Sequence, residues 1–343
     1  MIITNKSNLP DPFHEACKSE YTYKPKRVSV TTLSASSPRS EILRRRHYNE
    51  IIQDCRDMAW LVFGTAVHEI LEKYGASFSQ IKEGVALYDT PNGYTLSGRF
   101  DLYDLEQEKV IDWKTASTWK IIHKSYEDYY KQLLIYCVML RKMGYPCNKG
   151  ELVFILKDWS NAQLKLDKFG TYPDFPVQKV EFEFSEEEIN QAEEDINKYF
   201  LDFEQYEKLA DKDLPLCDEA FRTFNGDNVW ACTKKGNKRA TKCFKESEGG
   251  SEEEAQAWVD AQAKPQDFEI TLRPKEDKRC LDYCSSSPFC SYFIEHYANY
   301  IVVEDTNKIR AGFKTKEEAE EFITTFKLEN TCCIIEQERE ELN

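Results

Sequence analysis

GRFDLYDLEQEKVIDWKTAS, residues 98–117, is the stretch on which the reading of this chain turns. Side chains of a β-strand alternate between its two faces, so Leu96, Phe100 and Leu102 share one side while Ser97, Arg99 and Asp101 share the other. The same rule sets Val110, Asp112 and Lys114 on one side of Lys109–Thr115, a strand otherwise built of Val, Ile and Trp. A carboxylate and an ammonium in such a strand need partners, because burying even an uncharged polar group alone costs roughly 2–7 kcal/mol. Asp-x-Lys by itself is an ordinary edge-strand ion pair, and its company decides what it does here.

Working outward, Gly64-x-x-x-His68-x-x-x-Glu72 puts a glycine, an imidazole and a carboxylate on one helical stripe, and Gln132-x-x-x-Tyr136 repeats the spacing further on. Apolar periodicity predicts helices over Arg39–Cys55 and Phe63–Tyr74. Strands follow at Gly84–Tyr88, Tyr94–Asp104 and Lys109–Thr115, with Pro91-Asn92-Gly93 as a turn signal. A helix over Tyr126–Met143 stops at Gly144 and Pro146, and strands at Glu151–Leu156 and Val177–Phe184 come after it. Ser185 and Glu188 then form a capping box opening an acidic helix, Glu186 to about Gln205. The order α-β-β-β-α-β reads as an α/β core with a mixed sheet flanked by helices.

At four of these places the chain resembles the RecB-like branch of the PD-(D/E)XK nuclease superfamily, to which CRISPR-associated and phage recombination exonucleases belong. That branch carries a Gly-x-x-x-His helix, a Gly-x-(Ile/Phe)-Asp strand, an Asp-x-Lys strand and a Gln-x-x-x-Tyr helix. Here they stand as Gly64–His68, Gly98–Asp101, Asp112–Lys114 and Gln132–Tyr136, within a resemblance covering about residues 28 to 205. The resemblance implies a restriction-endonuclease-like core and metal-dependent hydrolysis of DNA. Phosphodiester cleavage needs a hard cation to neutralise developing charge and to lower the pKa of an attacking water. By resemblance His68, Asp101, Asp112 and the carbonyl of Trp113 hold Mg2+ or Mn2+, Lys114 orients the water, and Gln132 and Tyr136 fix the substrate strand or the lysine. Glu72 is a candidate water-mediated or second-metal ligand, with Glu69 on another helical face. The expected activity is an exonuclease processing duplex ends for recombination in a phage or mobile element, with DNA and a single-strand annealing recombination protein as partners. The alternatives are a structure-specific endonuclease on the same fold, or a non-catalytic DNA-binding or assembly subunit with a vestigial site.

Composition bounds the rest. The 343 residues are 41% hydrophobic and 31% charged, which fits a folded chain of one large or two ordinary domains. The net charge of −15 is uneven: residues 1–150 carry 21 Lys+Arg against 18 Asp+Glu, and the remainder 25 against 43. Between Lys24 and Arg46 lie Lys26, Arg27, Arg39, Arg44 and Arg45, with Glu41 as the single acid, so Arg44, Arg45 and Arg46 are candidate phosphate contacts. No apolar run approaches 18 residues and the start lacks a signal-peptide core, so a cytoplasmic protein without membrane spans is expected, inside a bacterial host cell if phage-encoded.

Twelve cysteines in a chain of this size point to buried thiols or metal ligands. Cys280-x3-Cys284-x5-Cys290, with Cys217 upstream, suits either Zn2+ or a 4Fe-4S cluster. RecB-like nucleases that bind a cluster take one cysteine from upstream of the His motif, and Val28–Arg46 has none. Cys217 is therefore the preferred fourth ligand, ahead of Cys17 and Cys55, with His296 as a possible substitute. Trp230–Ile270 and Tyr300–Ile335 repeat one pattern, hairpin, capped helix and closing strand, which predicts two small ββαβ modules. The expected domains are a nuclease domain over 1–210, a cysteine region with the first module over 211–295, and the second module over 296–343.

Overall fold

The computed structural model describes residues 1–18, 24–75, 81–224 and 226–337 and divides into two units, Met1–Leu209 and Ala210–Asn343. In the first unit, β1 (Ile2–Thr4) and α1 (Asp11–Cys17) precede β2 (Arg27–Ser29), α2 (Val30–Ala35) and α3 (Pro38–Arg46). Then come β3 (Ile52–Asp54), α4 (Ala59–Gly75), β4 (Ile81–Asp89), β5 (Thr95–Asp104) and β6 (Lys109–Ala116). The unit continues with α5 (Thr118–Ile122), α6 (Glu127–Lys142), β7 (Lys149–Leu156), α7 (Asn161–Leu166), β8 (Val177–Glu183) and α8 (Glu186–Tyr206). The Ser185–Glu188 capping box is formed in full, each residue accepting from the other's backbone N–H.

A six-stranded mixed sheet runs β2-β5-β6-β7-β8, with β4 along the other edge of β5. Strand β6 pairs antiparallel with β5 and parallel with β7. The core gathers Tyr103, Phe154, Leu133, Ile135, Phe200 and Phe203, all buried. Under the sheet, Lys109 and Glu151 form a buried ion pair at 2.5 Å, and Lys179 and Glu181 on β8 extend it.

The helix expected over Arg39–Cys55 ends at Arg46. Beyond it the chain turns and Ile52–Asp54 becomes β3, in parallel register with β1, while Ile2 donates its N–H to Ile51 O at 2.8 Å. The apolar spacing through Ile51 and Ile52 mimicked a helix, but these β-branched residues satisfy the backbone of β1 instead.

The basic run is also used differently from the expectation. Glu41 is almost fully buried and accepts from Arg44 Nε at 2.8 Å and Arg45 Nε at 2.5 Å. Arg45 also donates to Arg27 O at 2.6 Å and lies over the Phe203 ring. Arg46 donates to Glu207 O. Arg44 and Arg45 are thus engaged by the buried Glu41, whereas Arg46 is exposed and bonds the chain just after α8.

In the second unit, α9 (Glu219–Thr223) leads into β9 (Val229–Lys234), β10 (Ala240–Lys245), α10 (Glu252–Asp260) and β11 (Phe268–Arg273). After α11 (Ser291–His296) come β12 (Tyr300–Glu304), β13 (Ile309–Phe313), α12 (Lys316–Phe326) and β14 (Cys332–Glu336). The sheets are ordered β10-β9-β11 and β13-β12-β14, so both ββαβ modules form with the first hairpin strand in the centre. The Thr315–Glu318 capping box is complete; at Ser251 the hydroxyl accepts from Glu254 N. Residues 338–343, at the end of the second expected module, lie outside the described residues. No described helix is long and apolar enough to cross a membrane.

Candidate active site

The site grows from a split in the sheet. Along one edge of β5, Thr95–Ser97 pair with β2 and Leu102–Asp104 pair with β6, and Gly98–Asp101 lie in the gap between these two pairings. Other groups take over the backbone there: Tyr136 OH donates to Arg99 O at 2.8 Å, and Trp113 N donates to Asp101 Oδ2 at 2.8 Å. Gly98 is demanded by this packing, because a Cβ at its position would lie 2.5 Å from Tyr136 Cε1 and 2.6 Å from Val30 Cγ2. At Gly64 a Cβ would come within 3.3 Å of Thr115 Oγ1, so α4 crosses β6 closely at this glycine.

Helix α4 brings His68 Nδ1 to 3.1 Å from Asp101 Oδ1. The hydrogen bond to Asp101 raises the His68 pKa against the opposing effect of burial. Asp112 is buried, and its Oδ2 has the Lys114 ammonium against it but no hydrogen bond in regular geometry. Burial lifts the Asp112 pKa, opposed by Lys114 and reinforced by the charge of Asp101. Lys114 in turn donates to Gln132 Oε1 at 3.0 Å and lies over the Tyr129 ring. The four motifs, set apart by up to 68 residues in the chain, are thus one connected group, from His68 through Asp101, Trp113, Asp112 and Lys114 to Gln132 and Tyr136.

The group opens on a cleft of about 540 Å3 lined by Trp60, His68, Glu69, Arg99, Asp101 and Trp113 among others. Glu72 also lines it, ion-paired with Arg99. Three neighbours of the site went unread in the sequence. Trp60 is largely exposed, with Lys157 Nζ 3.9 Å from its ring centroid. Tyr129 lies beneath both Lys114 and Lys120. For Trp60 a signal existed, since it continues the four-residue stripe of Gly64, His68 and Glu72 upstream.

The buried Asp112, with an enclosed oxygen lacking a directed hydrogen bond, the partly buried Asp101 and the His68 imidazole form a hard donor set, which suits Mg2+ or Mn2+. Among the described residues no three His, Cys, Asp or Glu side chains are already arranged around a single ion.

In the second unit Cys217, Cys284 and Cys290 each act electrostatically on Cys280, but among the described residues they are not arranged around a single ion. Burial pushes the Cys280 thiol up to about 12, reinforced by the nearby Cys284, Asp277, Cys217 and Cys290. Cys284 Sγ lies 3.3 Å from Ser286 Oγ. His296 is directed elsewhere, its Nδ1 2.9 Å from Tyr292 O and its ring stacked on Tyr292. Cys17 and Cys55 belong to a small core with Met58 in the first unit.

The sequence profile of the PD-(D/E)XK nuclease superfamily matches residues 74–291, and the chain belongs to that superfamily. No curated protein matches it. Among solved structures, SSO0001 is similar with 16% identity and a TM-score of 0.39, over 55% of this chain and 83% of that one. A phage related exonuclease from Haemophilus somnus 129PT is similar with 13% identity and a TM-score of 0.30, over 52% and 94%. An alkaline exonuclease from Laribacter hongkongensis is similar with 13% identity and a TM-score of 0.34, over 52% and 89%.

Proposed function

We propose that this nuclease is a metal-dependent deoxyribonuclease acting from DNA ends, an exonuclease that prepares duplex ends for recombination alongside a single-strand annealing protein. The observation that carries the chemistry is the convergence of His68–Asp101 with Asp112–Lys114–Gln132 at the split between β5 and β6. His68, Asp101, Asp112 and the carbonyl of Trp113 would hold Mg2+ or Mn2+, which supplies charge neutralisation and acidification of a water. Lys114, held by Gln132, places a positive charge beside the reacting phosphate. Tyr136 and Gly98 hold the strand of Asp101 in place. Trp60 and Lys157 at the mouth suit a base face and a phosphate.

We also propose that Cys217, Cys280, Cys284 and Cys290 hold one metal centre that braces the second unit, either a zinc ion or a 4Fe-4S cluster. The spacing Cys280-x3-Cys284-x5-Cys290 and the electrostatic influence of Cys217, Cys284 and Cys290 on Cys280 support this reading.

The test of the main activity is to incubate end-labelled linear duplex and the same DNA as a closed circle with Mg2+, with Mn2+ and with chelator. Metal-dependent loss of the linear form with the circle intact is expected. Equal cutting of the circle would make the enzyme an endonuclease, and no cutting of either would leave a binding subunit.

A further inference from the structure

Arg44 and Arg45 of α3 are paired with the buried Glu41, while the second unit carries a basic surface whose charges point to solvent. The β9–β10 hairpin and its turn hold Lys234, Lys235, Lys238, Arg239, Lys242 and Lys245, with no acid from Thr233 to Lys245. All six are exposed. Among the described residues Lys245 alone of the six is ion-paired, to Glu248 at 2.7 Å. This lies in a part of the chain that is otherwise strongly acidic.

The turn is anchored: Asn237 N donates to Lys234 O, and Lys235 N to Asp267 O, while Gly236 takes a φ of +85° that an L side chain rarely adopts. Trp230, Cys232 and Phe244 pack with Ala255, Val259 and Trp258 of α10, so the hairpin is held as a rigid ridge on its own small core. Glu269 on β11 is in register opposite Thr233 of the hairpin.

The second module is an internal control. It has the same strand order, but its hairpin offsets Lys308 and Arg310 with Glu304 and Asp305, and Arg310 pairs with Glu304 at 3.5 Å. A fold that needed basic charge on this hairpin would show it in both copies. The charge on the first is therefore a property of its surface and not of the fold.

We infer that the β9–β10 hairpin of the first ββαβ module is a nucleic-acid backbone contact, which grips duplex phosphates. The inference rests on the nuclease reading for its choice of polyanion. Lysines and arginine on a turn read phosphate charge and not sequence, so the contact is expected to be salt-sensitive and indifferent to base order.

The test replaces Lys234, Lys235, Lys238 and Arg239 together with Gln in the full chain and measures affinity for a blunt duplex in chelator over a KCl series. We expect at least about a tenfold loss at low salt and a salt slope shallower by about 2 to 4, as counterion release requires. Lys308→Gln with Arg310→Gln should change neither. A melting curve matching wild type excludes misfolding, and unchanged affinity and slope in the fourfold variant overturns the inference. So does a wild-type chain that binds anionic phospholipid vesicles but not duplex DNA. Cleavage by wild type with Mg2+ is scored separately: lost binding in the variant beside an inert wild type overturns the nuclease reading and keeps the hairpin contact.

Discussion

His68 Nδ1 stands 3.1 Å from Asp101 Oδ1, joining the middle of α4 to the segment of β5 that lies between its pairings with β2 and β6, across 33 residues of chain. That contact, with the Trp113 N–H on the other carboxylate oxygen, holds Asp101 on both sides. Asp101 is thereby oriented before any substrate or cation arrives, and preorganisation of this kind lowers the cost of reaching a transition state.

Asp112→Asn and Lys114→Ala should each lower the cleavage rate by at least about a hundredfold, since the proposed function places both groups in the chemical step. Their stabilities should differ. Burial raises the Asp112 pKa, so its charge costs the folded state at neutral pH and the Asn variant should melt no lower than wild type. Lys114→Ala leaves that carboxylate without its cation and should melt lower. Initial rates and calorimetry decide, and a variant keeping a tenth of the wild-type rate contradicts the assignment.

Gly98→Ala should be destabilising by roughly 1–3 kcal/mol, because the new methyl meets Tyr136 and Val30 inside contact distance. Urea unfolding measures this. The displaced β5 should also lower activity at temperatures where the variant is fully folded.

Arg45→Ala should cost about 3 kcal/mol, as one partner of the buried Glu41 disappears. DNA affinity per folded molecule should stay at the wild-type value. A large loss of affinity with unchanged stability would restore the phosphate-contact reading of the basic run.

Asp277 supplies a pH dependence in the second unit. It is buried and accepts from Tyr292 OH at 2.6 Å, Tyr297 OH at 2.9 Å and Arg222 Nε at 3.2 Å. These donors hold its carboxyl below the usual aspartate range despite burial. A depressed acid stabilises the fold above its unfolded pKa, about 4, and loses that contribution as pH falls through the folded value. Acid unfolding followed by circular dichroism should therefore begin at higher pH in Asp277→Asn, and the variant should be less stable at pH 7.

Anaerobic purification followed by metal and sulfide analysis tests the cysteine centre. Iron with sulfide and absorption near 400 nm means a cluster, and about one zinc without colour means a zinc site. Cys280→Ser should lose the metal and melt lower, and four freely titrating thiols in the wild type would defeat the proposal.

What the sequence determined by itself is local and chemical. The alternation of Asp101, the Asp112-x-Lys114 spacing and the four-residue stripes on α4 and α6 follow from strand and helix periods, and with the family resemblance they single out the candidate site residues without coordinates. The repeat of hairpin, cap and helix likewise announced both small modules. Only the tertiary structure decided which charges are available. Arg44 and Arg45 read as part of a phosphate face, and the structure shows both paired with the buried Glu41, whereas Lys234, Lys235, Lys238 and Arg239 stand exposed on the hairpin. Ile51 and Ile52 had helical spacing but became a strand because β1 supplied a partner. The physical reason is the same in each case: period and residue type depend on near neighbours in the chain, while burial and pairing depend on groups brought in from far along it.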